Sequence, residues 1–277
     1  MTTRIITSAV ALAVLAAVLI SPPIVFNIAI CAVIFVMLYE CAAAAKMPKS
    51  VTAAGFVSAA AVMAAIYESI YCHEPLWENS FVGAAVIFTL LVHLGVTIFE
   101  HGKTNYASVL SSGMLTLYIT LSMSCIALAR DEYGTAIMII IFICAWTTDT
   151  GAYFVGKFFG RRKLIPHVSP NKTIAGAVGG VAASAVCCTA YLLIYLKAAG
   201  TPLSAMWIIP ICAGLVIGAV SGALAQLGDL AASAIKRDTG VKDFGWIFPG
   251  HGGFMDRFDS VLYIAPVIYF MLYLWIS

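Results

Sequence analysis

The chain has 277 residues, 62% of them hydrophobic and only 10% charged, with a net charge of +2 and a mean hydropathy of +1.00. A soluble domain needs roughly 25% charged residues to cover its surface, and a disordered chain combines low hydrophobicity with high net charge, so both classes are excluded. What is left is an integral membrane protein, whose cysteines, none in a Cys-x-x-Cys pair, read as small buried hydrophobes.

A bilayer core takes about 20 apolar residues per helix. The predicted spans run, in chain order, over residues 4–21, 24–45, 50–71, 81–99, 107–129, 134–155, 173–197, 205–235 and 259–276. The first begins at Arg4 and ends at Ser21-Pro22-Pro23. No small-x-small cleavage site precedes the prolines and another span follows at once, so it reads as an uncleaved helix rather than a signal peptide. The eighth run is long for one straight crossing and carries Pro210, Gly214, Gly218 and Gly222, which predicts a kink or an extension into the cytoplasm. The fold class expected is therefore an all-α integral membrane protein of about nine transmembrane helices. With the N-terminus in the cytoplasm, the inner loops hold every Lys and Arg of the 15 except Arg130 and Lys197. That is the asymmetry of an inside-positive topology, and an odd number of spans then leaves the C-terminus outside. Residues 1–145 read as a hydrophobic frame. Residues 146–277 carry the polar stretches, 156–172 and 236–258, and with them the chemistry, on the cytoplasmic side.

Four groups of residues stand out. Asp149 lies in Trp146-Thr-Thr-Asp149-Thr-Gly-Ala-Tyr153, near the inner end of the sixth span. A carboxylate at membrane depth needs a partner, a metal or a water-filled cavity, a reading preferred here to the alternative of a helix-end carboxylate in headgroup water. The loop 156–172 contains Arg161, Arg162 and Lys163, which suit anionic lipid. Its end, Ser169-Pro170-Asn171-Lys172-Thr173, precedes a glycine-rich helix start, where free N–H groups and the helix dipole favour phosphate. On the eighth span Gln226, Asp229, Ser233, Lys236 and Arg237 recur at helical spacing as one polar stripe. Such a stripe either glues helices together or lines a site. Finally, Pro249-Gly-His251-Gly252-Gly253-Phe-Met-Asp256-Arg257-Phe-Asp259 puts two carboxylates at i, i+3 beside a glycine-rich loop. Carboxylates so placed suit a hard cation such as Mg²⁺, which keeps several waters and bridges to phosphates. No second His or Cys is spaced for zinc.

Together these stretches resemble the CDP-diacylglycerol synthase, or phosphatidate cytidylyltransferase, family. The family signature is matched by Ser233, Lys236-Arg237, Lys242-Asp243, His251-Gly252-Gly253, Asp256-Arg257 and Asp259. An upstream block is matched by Asp149, Tyr153, Gly156, Gly160, Lys163, Ser169-Pro170, Lys172-Thr173, Gly176 and Gly179-Gly180. The resemblance covers about residues 146–260, and departs from the family's pattern at Ala175 and Ala232, where many members have Glu.

The resemblance implies transfer of CMP from CTP to phosphatidic acid, giving CDP-diacylglycerol and pyrophosphate. It implies Mg²⁺ on Asp229 and Asp256, with Asp259 and Asp149 as outer or alternative ligands. Lys172, Lys236, Arg237, Lys242 and Arg257 become phosphate contacts; His251 and Ser169 position CTP, and Thr173, Ser233, Gly252 and Gly253 complete the substrate site. It further implies a homodimer and a possible K⁺. The short chain without a soluble extension suggests a bacterial plasma-membrane enzyme, its active site open to the cytoplasm by the charge asymmetry, with no nucleic-acid partner. The competing readings are a related CTP-dependent transferase or kinase acting on another lipid phosphate or a polyprenol, a cation transporter running through Asp149 and Asp229, and a membrane scaffold. Cations at Lys172, Lys236 and Arg237 would repel a transported cation, and a scaffold leaves the 226–259 constellation without a reason.

Overall fold

The computed structural model describes residues 2–72, 79–200, 208–248, 250 and 252–276. Their order is α1 (Thr2–Ile20), α2 (Pro23–Ala44), α3 (Lys49–Cys72), α4 (Ser80–Phe99), α5 (Tyr106–Phe159), β1 (Lys163–Ile165), β2 (Ser169–Thr173), α6 (Ile174–Ala198), α7 (Ile208–Thr239) and α8 (Met255–Ile276). Among the described residues, seven helices (α2 to α8) are long and apolar enough to cross a membrane. The protein is an all-α, multi-pass integral membrane protein.

Local chemistry sets the element ends. Pro23 stands at the first position of α2, where its missing N–H costs nothing. Asn79 caps α4, its side-chain oxygen accepting from the N–H of Phe81 at 2.8 Å and of Val82 at 3.2 Å. Its amide nitrogen donates to Glu68 at 2.6 Å, tying that cap to the end of α3. At 54 residues α5 is far longer than a crossing requires, and its helical geometry breaks at Gly134 (φ 81°, ψ 164°), a conformation open to glycine. The sequence reading placed a short loop here; the chain instead stays helical to both sides of one residue.

Two further differences lie in the polar half. The loop expected over 156–172 holds an antiparallel hairpin, with Lys163 opposite Thr173 and Ile165 opposite Ser169. The eighth span, expected to kink or to extend beyond the membrane, is one continuous helix, α7, running on to Thr239. Pro210 falls in the first turn, where no intrahelical N–H is lost. The glycines serve contact rather than bending: a Cβ on Gly214 would lie 2.6 Å from Thr189 Cα, and one on Gly218 would lie 2.6 Å from Ala185 Cα. Helices α6 and α7 approach backbone to backbone along this stripe.

The chain divides into two compact units. The first comprises residues 1–131 and 239–257; its core includes Ile34, Met37, Val51, Val62, Ile119 and Met123. The second comprises residues 132–238 and 258–277, with Met138, Ile141, Cys144, Leu192, Leu262 and Ile268 at its centre. The loop that carries half of the signature thus packs with the N-terminal helices, and the stripe of α7 belongs to the other unit.

Candidate active site

In the second unit, Lys172 is the last residue but one of β2, two positions before the start of α6. Thr173 caps that helix through its hydroxyl, which accepts from the N–H of Gly176 at 3.1 Å. The cap fixes the point from which Lys172 projects. Its Nζ meets Asp229 Oδ2 at 2.6 Å and the Gln226 carbonyl at 3.4 Å. Gln226, nearly buried, donates its amide to the carbonyls of Ala177 (3.1 Å) and Gly222 (3.0 Å), so the polar stripe of α7 is stitched to α6 just above the ion pair. The Lys172 and Asp229 side chains keep 22% and 31% of their surface. The pair is therefore open to a ligand, and is not a sealed structural bridge.

Asp259 joins this group from α8. Gly228 makes the approach possible, because a Cβ there would lie 2.5 Å from the Asp259 carbonyl. The Asp259 carboxylate accepts from the N–H of Ser260 at 2.7 Å. Its charged neighbours are Asp229, Asp149 and Lys236. Asp149 is exposed near the end of α5, and Lys236 is half-buried two turns beyond Asp229 on α7. Three carboxylates and two lysines therefore share one polar region on otherwise apolar helices. Ser233 and Ser169 are half-buried. Arg237 is exposed, with Nε donating to the Val168 carbonyl at 3.4 Å, so α7 and the hairpin are also joined by a basic residue.

In the first unit, the loop between α7 and α8 is held by two carboxylates. Asp256 Oδ2 accepts from the N–H of Phe244 at 2.8 Å and of Gly253 at 3.0 Å. Gly252 takes φ 82°, and a Cβ on it would stand 2.6 Å from Asp256 Oδ2, so the glycine is required both for its backbone and for its closeness to the carboxylate. Phe248 donates its N–H to the Gly252 carbonyl at 2.9 Å, and its ring packs edge-on to Phe254 at 4.8 Å. Lys242 on this loop and Arg257 in the first turn of α8 are exposed. His251 lies outside the described residues.

The second carboxylate is Glu40 of α2, which no motif had singled out. Only 3% exposed, it accepts from the N–H of Phe254 (3.0 Å, Oε1) and of Met255 (2.9 Å, Oε2). The signal was in the sequence: Glu40 is the first carboxylate of the chain and stands inside an apolar span, where a charge requires partners. Its partners lie more than two hundred residues away, beyond the reach of any local spacing rule.

The sequence-predicted residues thus fall into two sets: Asp149, Ser169, Lys172, Thr173, Asp229, Ser233, Lys236, Arg237 and Asp259 in the second unit, and Lys242, Gly252, Gly253, Asp256 and Arg257 in the first. Among the described residues, no three His, Cys, Asp or Glu side chains are drawn together as a metal-binding group. What the second unit offers is a set of hard oxygen donors beside lysines. Such a set fits a cation that takes one or two carboxylates and fills its shell with water and substrate oxygens.

Carboxylates alternating with lysines suit polyphosphate chemistry, and similarity to known proteins agrees. The model of the cytidylyltransferase family matches residues 2–275. The chain belongs to the cytidylyltransferase family. A phosphatidate cytidylyltransferase of Bacillus subtilis is 37% identical over 191 residues, covering 68% of this chain and 67% of that one. One of Staphylococcus aureus is 32% identical over 227 residues, 82% of each chain, and one of Staphylococcus saprophyticus is 33% identical over 196 residues, 71% of each. The family match takes in the N-terminal helices as well, and so includes Glu40.

Proposed function

We propose that this protein is a CTP:phosphatidate cytidylyltransferase, forming CDP-diacylglycerol for phospholipid synthesis. The observation that carries the reading is the Lys172–Asp229 pair, partly open and joined by Asp259, Asp149 and Lys236. In the reaction a phosphate oxygen of phosphatidate attacks the α-phosphorus of CTP. The bond from that phosphorus to the bridging oxygen breaks, and pyrophosphate leaves with the electron pair. The attacking phosphate is already anionic, so no Ser or Cys nucleophile is required. What remains for the protein is to align two anions and offset their repulsion, which is how phosphoryl transfer is generally catalysed.

Lys172, Lys236, Arg237, Lys242 and Arg257 are the phosphate contacts in this reading. Lys172 also orients the Asp229 carboxylate. Asp229 and Asp256 are the proposed Mg²⁺ ligands, with Asp149 and Asp259 as reserve carboxylates; Mg²⁺ when bound neutralises charge on the triphosphate and leaving group. His251 and Ser169 position CTP. A homodimer and a monovalent cation such as K⁺ beside Mg²⁺ complete the proposal, together with a bacterial plasma-membrane setting and a site facing the cytoplasm. The last is supported by the basic residues of 156–172 and 236–257.

The test is direct. Purified protein is incubated with phosphatidate, labelled CTP and Mg²⁺, and the expected product is a labelled CDP-lipid with one pyrophosphate released per turnover. Failure with phosphatidate but transfer to a polyprenol or another lipid phosphate would move the substrate and keep the chemistry. No transfer to any lipid would end the reading.

A further inference from the structure

We infer that Glu40 is a positioning residue for nucleotide binding: from a membrane helix, it clamps the start of α8 and holds the Gly252–Asp256 segment in its working shape. The inference rests on the reaction proposed above.

The geometry is specific. Each Glu40 carboxylate oxygen takes one backbone N–H, from Phe254 and from Met255. These belong to the first turn of α8 and the residue before it, where N–H groups have no intrahelical acceptor. A Cβ on Gly245 or on Gly253 would collide with this carboxylate, so both strands of the loop are cut back to glycine to receive it. Asp256 stands beside it as a like charge, and accepts the two further N–H groups of Phe244 and Gly253. Four backbone donors and the positive end of a helix thus offset two neighbouring carboxylates. A residue that only filled space in an apolar core would need neither the charge nor the two glycines.

The arrangement also answers what the start of α8 does. A helix N-terminus at a phosphate-handling site would ordinarily attract phosphate. Here the protein's own carboxylate takes those donors, which leaves substrate phosphates to the lysines and arginines. Glu40 therefore acts on the nucleotide only through the loop, and touches no reacting atom.

The variants are E40Q, which keeps the volume and one good acceptor, E40A, which removes both acceptors, and E40D, which keeps both on a shorter arm. Three readouts are taken on the full chain in lipid nanodiscs: equilibrium CTP binding, amide exchange at Phe254 and Met255, and turnover. Loss of a charge-assisted acceptor should speed exchange about ten- to a hundredfold at both amides in E40A and at one of them in E40Q. CTP affinity should fall by a similar factor in E40A and E40Q, E40D should recover part of it, and the KM for phosphatidate should stay unchanged. Exchange at both amides as slow in E40A as in wild type would remove the clamp. Unaltered CTP affinity in E40Q, with activity lost only in proportion to the folded fraction, would reduce Glu40 to a structural residue. If wild type binds CTP but forms no CDP-diacylglycerol, the proposed reaction fails, while weakened CTP binding in E40Q still supports the role of Glu40.

Discussion

At the scale of single residues, the Lys172–Asp229 pair separates stability from function. Both side chains retain solvent access, and an ion pair of that kind contributes only about 0–1 kcal/mol. Asp229→Asn should therefore leave the melting temperature within a few degrees of wild type. The same change removes the charge on which the proposed Mg²⁺ and Lys172 both depend, and kcat/KM should fall by about a hundredfold or more, as loss of a group acting on the transition state does. Lys172→Met should behave alike, and the double variant should cost much less than the product of the two, because the residues act as one unit. Thermal melts and steady-state assays on the three variants check this. A large drop in melting temperature with unchanged kcat/KM would make the pair structural. The demand for a partner was legible in the sequence for Asp229, since a carboxylate at membrane depth must be compensated. Which cation supplies it was not, because Lys172 reaches Asp229 from 57 positions away only once the hairpin and the Thr173 cap exist.

At the scale of elements, hydropathy marked where helices lie but misjudged what their special residues do. Pro22-Pro23 did separate α1 from α2, a purely local effect of proline stereochemistry. The stripe Gly214, Gly218, Gly222 suggested a bend, yet its residues face α6 at backbone distance. A one-dimensional reading sees a glycine's flexibility and not the neighbour that forbids a side chain. The hairpin of 163–173 was hidden for a related reason: its strands are short, charged and proline-bearing, and pair only because they bridge α5 and α6. The distinction is measurable. Gly218→Ala places a methyl 2.6 Å from Ala185 Cα and from the Ser184 carbonyl, backbone atoms that cannot step aside. It should destabilise the protein by about 1–3 kcal/mol, the usual cost of overpacking. Gly83→Ala on α4 meets nothing within 4 Å, and should be neutral or stabilising by up to about 1 kcal/mol from helix propensity alone. Denaturation of both variants in detergent decides. Equal stability of the two would mean that the α6–α7 contact is looser than described.

At the scale of the whole molecule, topology couples the long helix to the charges around it. Lys103 lies before α5, and Lys157, Arg161, Arg162 and Lys163 lie at or beyond its end. The proposed topology, which follows the inside-positive rule, has all of these on the cytoplasmic side. A chain that enters and leaves α5 on one side must cross the membrane twice within it. The element has the length for that, since 54 residues at about 1.5 Å each exceed twice the roughly 30 Å of a hydrocarbon core. It also has a place to turn, at Gly134, with Arg130 close by as one of the two basic residues left for the outer side. Arg130 is itself engaged, its guanidinium lying 4.3 Å over the Phe26 ring and donating to the Ser21 carbonyl at the α1–α2 junction. The same count puts Lys197, in the last turn of α6, outside. Cysteines introduced at the exposed positions Lys103, His167 and Lys197, after the exposed Cys72 and Cys212 are changed to Ser, report the arrangement through an impermeant maleimide on intact spheroplasts. K197C should label from outside, and K103C and H167C only after the membrane is opened. Labelling of K103C and H167C from opposite sides would mean that α5 crosses once, and labelling of H167C from outside would put the 156–172 stretch on the other face from the CTP it is proposed to bind.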